Sequence, residues 1–485
     1  MKIKVLVKKI TPFFLLDFYH YLLAFIGALI FWFPSKRLIV IGVTGTSGKS
    51  TTVDFITRIL EEAGNKIVSN SSIRFKVGEK EWPNNLKMGM PGRFFIQKLL
   101  RQAINKGCNY AVLEITSEGI KQFRHKFIHF DTAVFTNLSP EHIESHGGFE
   151  NYRNEKLKLF KATKNIHVVN IDDENAKYFL EVPAQKTIIF GTDYACKING
   201  RQLYKHKEEK EKEEKEQENY SGILQNTRII AENAQGTSFS VNGIKFSLNL
   251  LGDFNIYNAL AAIAVGKSYG VSLEICKKVL EKATGIPGRM EVVSKNPLVV
   301  VDYAHTPDQL EKVYRTFSNW SGNPKSEIRN PKQILNLKSK ILNLICVLGS
   351  CGGGRDKWKR PVLGKIAEKY CSQIIITNED PYDEDPFSIM DEIESGFSQI
   401  QNPLGQQDIP KAASQISNNI KIQNPKYEKI LDRRKAIKKA ILLAKPEDIV
   451  IITGKGSEMW MCVENGKKIP WDDRRVVKEE LKKNY

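Results

Sequence analysis

The stretch Gly45-Thr-Ser-Gly-Lys-Ser-Thr51 has the residue types and spacing of a phosphate-binding loop. Gly45 and Gly48 let the backbone bend and approach an anion closely. Backbone N–H groups and a helix N-terminus attract anionic oxygens there. Lys49 supplies a positive point charge for β- and γ-phosphates, and the Ser50 hydroxyl is placed to hold Mg²⁺. Thr46, Ser47 and Thr51 complete the loop. The pattern departs from a strict Walker A, because Val43 stands where glycine is expected and Gly42 is one residue off. The competing reading is a glycine-rich turn joining a core strand to a helix.

Other reactive side chains follow at intervals. Glu114 closes the apolar run Tyr110-Ala-Val-Leu-Glu. A carboxylate at the end of a strand beside a phosphate loop suits Mg²⁺, and it equally suits a cap or an ion pair. Ser139-Pro-Glu-His-Ile-Glu-Ser-His-Gly-Gly and Glu150-Asn-Tyr-Arg-Asn-Glu-Lys-Leu-Lys-Leu-Phe160 hold His142 and Lys156. Taken alone, Lys156 reads as a solvated helix lysine. Downstream, His305 in Asp302-Tyr-Ala-His-Thr-Pro-Asp308 could equally be a capping or core histidine. Arg355, after a glycine run, can grip a carboxylate with two parallel hydrogen bonds.

These residues need elements to hold them. Leu38–Val43 reads as a buried strand before the loop, and the helix after it starts near Ser50 and runs to about Ala63. A strand near Ile67, a polar Asn-rich loop, and a helix opening at Pro91-Gly-Arg with Phe95, Leu99, Leu100 and Ile104 on one face come next. Strands and helices alternate from there to Gly454-Lys-Gly-Ser-Glu458, which argues for α/β architecture. The expected organisation is an apolar N-terminal segment (1–37), a central P-loop domain with a mostly parallel sheet (38–287), and a C-terminal doubly wound, Rossmann-like domain (288–485). Thr284-Gly-Ile-Pro-Gly-Arg-Met-Glu291 is the hinge.

Composition bounds the rest. The chain of 485 residues is long for one core; 41% hydrophobic and 26% charged residues fit a globular protein. A net charge of +18 admits nucleic acid, a membrane surface or an anionic substrate. Much of the lysine, however, lies in segments such as 205–218 and 319–340 that read as solvated insertions, and no nucleic-acid motif with interleaved aromatics occurs. The seven cysteines form no C-x-x-C pair. Cys108, Cys276, Cys346 and Cys371 read as buried thiols in a reducing cytoplasm, with no disulfide frame.

Phe13–Phe33 is strongly apolar, with Lys8 and Lys9 before it and Lys36 and Arg37 after it. Asp17 and His20 interrupt it, a cost in a lipid-exposed span. Three readings stand: an interfacial or membrane-inserted anchor, a helix packed on the protein body or an oligomer partner, and a single span.

The motifs Gly42-Val-Thr-Gly-Thr-Ser-Gly-Lys-Ser-Thr-Thr52, Leu113-Glu-Ile-Thr-Ser-Glu-Gly-Ile120 with Gln122 and Arg124, Phe130–Gly147 and Glu150–Phe160 together resemble the Mur ligase family. Within it, the branch that adds the third peptide residue to the peptidoglycan precursor is the most similar. The resemblance covers about residues 38–485. It implies an ATP-dependent amide ligase, forming ADP through an acyl phosphate, with UDP-muramoyl-peptide and an amino acid as substrates. Ser50, Glu114, His142 and Lys156, if carbamylated, would hold Mg²⁺, and Lys49, His142 and Lys156 would be catalytic. Asn137, Asn258, Arg289, Asp302 and His305 would join the loop around ATP. Thr116, Gln122 and Arg124 would touch the muramoyl substrate. Arg355, Glu379, Asp380, Pro381, Tyr382, Gly454 and Glu458 would line the amino-acid pocket.

Three departures accompany the resemblance. Family members using meso-diaminopimelate carry Asp-Asn-Pro-Arg where this sequence has Glu379-Asp-Pro-Tyr382, and tyrosine cannot pair with the distal carboxylate as arginine does. That shifts the expected substrate toward lysine or another amino acid. Ser457 stands where histidine is usual. Only about 38 residues, mostly apolar, precede the phosphate loop, where family members carry a domain that binds the uridine diphosphate. A related ligase on a lipid-linked muropeptide or a folate-type acceptor therefore stays open, as does a non-catalytic, membrane-anchored nucleotide-binding module. The expected location is the cytoplasm, including attachment to the inner face of the membrane; the oligomeric state is not legible.

Overall fold

The computed structural model describes residues 13–86, 88–192, 197–198, 201–202, 228–233, 236–318, 343–397 and 426–484. The charged run 205–218, the insertion 319–340, and Lys8 and Lys9 lie outside the described residues. The chain divides into two compact units between Gly285 and Ile286.

In the first unit, apolar runs without alternation form central strands buried on both faces. The strands are β1 (Ile39–Thr44), β2 (Ile67–Asn70), β3 (Arg74–Val77), β4 (Lys80–Pro83), β5 (Tyr110–Glu114), β6 (Thr132–Phe135), β7 (Ile166–Asn170) and β8 (Lys186–Phe190). They pair in the order β4-β3-β2-β5-β1-β6-β7-β8, parallel from β2 through β8. Neighbours β5 and β6 leave β1 on opposite sides, so a crevice opens beyond its carboxyl end, where α/β sheets bind ligands.

The polar stretch after Ile67 is not simply a loop. It forms the antiparallel pair β3 and β4, with Phe75 and Trp82 in register and their ring centroids 5.8 Å apart. Charged residues alternate with these rings, as an edge hairpin requires.

Five helices of this unit matter to the site. They are α1 (Phe13–Ile30), α2 (Lys49–Glu62), α3 (Arg93–Asn105), α4 (Ser117–Lys121) and α5 (Phe149–Ala162). An antiparallel sheet of β9 (Arg228–Asn233), β10 (Gly236–Val241) and β11 (Ile244–Leu248) precedes α6 (Phe254–Ser268), which packs on α2, and α7 (Leu273–Glu281).

Helix α1 packs on the body of this unit. Ala24, Gly27 and Ala28 are buried, and a Cβ on Gly27 would sit 3.6 Å from the Phe94 ring. Tyr21 meets the edges of Phe123 and Phe127, and Phe25 meets Phe127. Arg101 caps the helix end: Nε and Nη2 donate to the Phe31 carbonyl at 3.0 and 2.6 Å, and Nη2 to Trp32 O at 3.2 Å. Trp32 and Phe33 then turn the chain with φ of 59° and 44°. Near the middle of α1, Arg93 Nη2 lies 2.5 Å from His20 Nδ1 and donates to Gln122 O at 2.7 Å. Among the described residues no helix is long and apolar enough to cross a membrane.

His125, 3% exposed beside this interface, gives a pH prediction. Burial, with Lys126 and Lys158 adding to it, holds its ring down to about 3. The unfolded chain takes up that proton near 6.5. Between these values the unfolded state binds more protons, so stability falls as pH drops from 6.5 toward 3. By pH 5 the loss from this ring is about 2 kcal/mol. Denaturant titrations of wild type and His125→Leu at pH 7 and 5 should show a flatter pH dependence in the variant. Equal slopes would remove His125 as a source.

In the second unit, the strands β12 (Glu291–Lys295), β13 (Leu298–Val301), β14 (Leu344–Leu348), β15 (Gln373–Thr377), β16 (Lys426–Ile430) and β17 (Ile449–Ile452) pair in the order β12-β13-β17-β14-β15-β16. Only the β12–β13 pair is antiparallel. Helices α8 (Pro307–Ser318), α9 (Lys359–Tyr370), α10 (Pro386–Glu394), α11 (Arg433–Leu443) and α12 (Asp473–Asn484) accompany this sheet. Arg433, fully buried, grips Asp473 with Nε–Oδ1 at 2.9 Å and Nη2–Oδ2 at 2.7 Å, joining the starts of α11 and α12.

One cysteine expectation is corrected. Cys346 and Cys371 are not free thiols; they form a disulfide with Cα atoms 6.0 Å apart. Cys346 lies in β14, and Cys371 caps α9 just before β15, the strand paired with β14. The crossover helix brings together residues 25 apart, a separation without a sequence signature. Cys108 and Cys276 are buried free cysteines as expected.

Candidate active site

The phosphate loop leaves β1 and enters α2 with Gly48 as the helix cap, φ 79°. A side chain there would bring Cβ within 2.2 Å of Asn258 Oδ1, and on Gly45 (φ 152°) within 2.0 Å of Thr136 Oγ1. Only glycine fits both places. Asn258 of α6 thus lies against the loop, and its Oδ1 accepts from Thr52 at 3.4 Å. Asn137, beyond β6, is engaged in holding the loop: its Oδ1 accepts from Ser47 N at 2.9 Å and Ser47 Oγ at 3.0 Å. Thr46 N donates to Asn137 O at 2.9 Å, and Thr46 Oγ1 shares a hydrogen bond with Tyr152 at 3.0 Å. Thr51 is buried in the first turn of α2.

Three charged side chains converge on this loop. Lys49 Nζ donates to Gly45 O at 2.9 Å and Thr46 O at 2.7 Å. Lys156 of α5 is 1% exposed; its Nζ donates to the same Gly45 carbonyl at 2.7 Å and lies 4.5 Å from the Tyr152 ring centre. It is not the solvated lysine its neighbours in sequence imply. Burial first, then the Lys49 charge, hold its amine well below the usual lysine range. Glu114, 3% exposed at the end of β5, accepts at Oε2 from Ser50 Oγ at 2.7 Å and Ser72 N at 2.9 Å. Ser50 and Ser72 hydroxyls share a hydrogen bond at 2.6 Å.

His142 caps a short helix with φ 56°, its Nε2 3.8 Å from Glu141 Oε1. Thr116 Oγ1 caps α4 by accepting from Gly119 N at 3.1 Å. Arg124 donates to Met90 O and, at 2.8 Å, to Gln122 Oε1.

Among the described residues no three His, Cys, Asp or Glu side chains gather as a metal site. Ser50 Oγ and Glu114 Oε2, 2.7 Å apart at the loop, are nonetheless the hard oxygen donors Mg²⁺ prefers. Mg²⁺ commonly takes one or two protein oxygens and completes its shell with water and phosphate, so this donor pair fits it.

In the second unit, Asp302 is 6% exposed and braces its loop: Oδ2 accepts from Met290 N at 2.6 Å and Oδ1 from Ala304 N at 2.7 Å. Burial raises its pKa against the pull of Arg289. Arg289 stacks 4.1 Å from the Tyr303 ring centre, and its buried Nη1 has no hydrogen-bond partner. His305 Nδ1 lies 3.0 Å from Tyr303 O.

The expected amino-acid residues separate into exposed and buried sets. Arg355 is exposed. Glu379 is 2% exposed; its Oε1 accepts from Cys351 Sγ at 2.9 Å, and its Oε2 lies where a Cβ on Gly454 would come within 2.2 Å. Burial and the neighbouring Glu379 and Asp380 carboxylates push the Cys351 thiol well up. Asp380 Oδ1 accepts from Lys455 Nζ at 2.8 Å and Cys462 N at 2.7 Å. Lys455 also donates to Glu458 Oε2 at 2.6 Å and Trp460 O at 2.7 Å. Glu458 Oε1 accepts from Tyr303 at 3.3 Å. Tyr382 has φ 53°, its ring against Gly353, and the Pro381 carbonyl faces Gly352.

Sequence reasoning passed over Ser72, Tyr152, Cys351 and Lys455. Ser72 and Tyr152 carry no spacing that ties them to the loop. Lys455 lies inside Gly454-Lys-Gly-Ser-Glu458, where a lysine between glycines reads as solvated.

Known proteins supply the last comparison. Residues 43–266 match the Mur ligase middle domain, and residues 288–456 the Mur ligase glutamate ligase domain. A UDP-N-acetylmuramoyl-L-alanyl-D-glutamate–2,6-diaminopimelate ligase of Clostridium tetani is 32% identical over 457 residues, covering 93% of this chain and 79% of that protein. The chain belongs to the Mur ligase family. A Roseiflexus protein named UDP-N-acetylmuramyl-tripeptide synthetase is also 32% identical, over 95% of this chain and 81% of its own length. A solved diaminopimelate ligase structure aligns with a TM-score of 0.54 at 26% identity, covering 92% of this chain and 79% of that one. Mur ligases are ATP-dependent amide-forming enzymes, and in this chain Lys49, Ser50, Glu114 and Lys156 lie together at the phosphate loop.

Proposed function

We propose that this Mur ligase adds an amino acid to a UDP-N-acetylmuramoyl-dipeptide in the cytoplasm, using ATP and Mg²⁺. The observation that carries the reading is the convergence of Lys49, Lys156 and the Ser50–Glu114 pair on one phosphate loop.

The acceptor's terminal carboxylate oxygen attacks the γ-phosphorus, the bond to the β–γ bridging oxygen breaks, and ADP leaves. Lys49 offsets the negative charge carried by the transferring phosphoryl group, and loop N–H groups orient it. Mg²⁺ held by Ser50 and Glu114 would supply further positive charge at the phosphates. The amine of the incoming amino acid then attacks the acyl phosphate; the tetrahedral intermediate loses a proton from nitrogen and expels phosphate. Arg355, exposed after the glycine run, has the guanidinium geometry to hold the amino acid's carboxylate.

Lys156 contributes as a neutral amine, the form that burial favours. A neutral amine can add to the carbon of carbon dioxide and release one proton, leaving a carbamate anion. That converts a neutral amine beside Lys49 into an anionic, metal-binding oxygen donor.

The amino acid remains the open variable of this proposal. The named relatives suggest diaminopimelate, whereas Tyr382 offers no cation for its distal carboxylate. Phosphate release should be measured with ATP, Mg²⁺ and UDP-N-acetylmuramoyl-dipeptide while lysine, diaminopimelate, ornithine and other amino acids are added singly. Turnover with lysine or ornithine but not diaminopimelate is expected. Preference for diaminopimelate would overturn the Tyr382 argument. Silence with this acceptor but turnover with a lipid-linked or folate-type acceptor would replace the proposed substrate, and silence with all would favour a binding module.

A further inference from the structure

Helix α1 leaves a continuous apolar face uncovered. Phe14, Phe18, Leu22, Phe25 and Leu29 recur at intervals of four, four, three and four residues, which is one face of a helix. Phe14 is 69% exposed, Phe18 63%, Leu29 53%, Ile30 55% and Trp32 80%. Monomeric soluble proteins rarely present so many large apolar side chains together. The exposure does not come from a loose helix. Arg101 caps its C-terminal end, Arg93 meets His20 near its middle, small residues seat its inner side against α3, and rings from Phe123 and Phe127 pack on it.

We propose that this face binds the surface of an anionic lipid bilayer, with α1 lying in the plane of the interface. Charge complementarity selects this occupant. Lys36 and Arg37 are exposed directly after the stripe, and Lys8 and Lys9 precede it in the sequence. Each such cation adds about 1 kcal/mol of attraction to an anionic leaflet. Tyr19, in the N-terminal half of α1, and Trp32, two residues past its C-terminal end, are exposed and have the amphipathic rings that favour headgroup depth. Asp17, the only carboxylate of the helix, is exposed on the N-terminal half, the half that Lys8 and Lys9 precede. Among the described residues no helix is long and apolar enough to cross a membrane, and the packed inner side of α1 leaves one face for a single leaflet.

The test is co-sedimentation of the full chain with vesicles of 3:1 phosphatidylcholine and phosphatidylglycerol (about that ratio), and with phosphatidylcholine alone. Light scattering reports the oligomeric state without lipid. Wild type should bind the anionic vesicles, and 0.5 M salt, where the Debye length is about 4 Å against about 10 Å at 0.1 M, should weaken it. Phe18→Ser with Leu29→Ser should reduce binding at least about tenfold, since two large apolar groups leave the interface. Lys36→Glu with Arg37→Glu should reduce it comparably while sparing the apolar stripe. Circular dichroism checks that each variant remains folded. Wild type that ignores both vesicle types overturns the proposal. So does a wild-type dimer that the serine variants split into monomers while vesicle binding is unchanged.

Discussion

Lys49→Met should lower the rate of ATP-dependent ligation about 10³-fold while leaving the protein folded. One preorganised donor at a developing charge is worth about 10²–10³ in rate, and a full cation lies at the top of that range. Folding should change by no more than about 1 kcal/mol, the net worth of an ordinary hydrogen bond. The geometry explains the contrast. Lys49 donates to the carbonyls of Gly45 and Thr46, and Gly45 O keeps Lys156 Nζ at 2.7 Å when Lys49 is gone. Removing the Lys49 charge also relieves one of the two influences that depress the Lys156 amine. Single-turnover phosphate release and a denaturant melt, on the same preparation, read the two effects. A variant that stays within tenfold of wild type would remove Lys49 from the phosphoryl-transfer step.

Lys455→Met should destabilise the second unit by about 3–5 kcal/mol, the usual cost of stranding a buried charge. Lys455 is fully buried and bonds Asp380 at 2.8 Å, Glu458 at 2.6 Å and the Trp460 carbonyl at 2.7 Å. Asp380 is 3% exposed and would lose its cation. Asp380→Asn in the Lys455→Met background removes the stranded charge, so it should recover part of the loss. On the ligase reading, the single variant should also raise KM for the amino acid, because Glu458 would lose its 2.6 Å lysine contact while the longer Tyr303 contact at 3.3 Å stays. Differential scanning of the single and double variants checks the coupling. Additive losses in the double variant would mean that Lys455 and Asp380 do not act as a pair.

The two lysines also mark where sequence reading works and where it stops. The strand–loop–helix at residues 38–63 was legible because its signals are local: an apolar run, two glycines that must take positive φ, and an amphipathic continuation. Glu114 was found the same way, as the polar end of an apolar strand. The β3–β4 hairpin was missed because its charged residues conceal a two-ring inward face that only pairing reveals. The Cys346–Cys371 bond was missed because a whole helix intervenes.

By itself, the sequence determined the alternating α/β pattern, the phosphate loop with Lys49 and Ser50, and the motifs that mark a Mur ligase. These depend on interactions among neighbours in the chain, where residue type and spacing suffice. Tertiary structure decided the state of the remaining groups. It turned Lys156 from an apparent surface lysine into a buried amine on the Gly45 carbonyl, and it drew Asp380 and Lys455 into one buried ion pair. It also gave α1 one packed side and one bare side. Burial and partner choice depend on which distant segments come together, and the free energy of a charge or an apolar face changes sign with that environment.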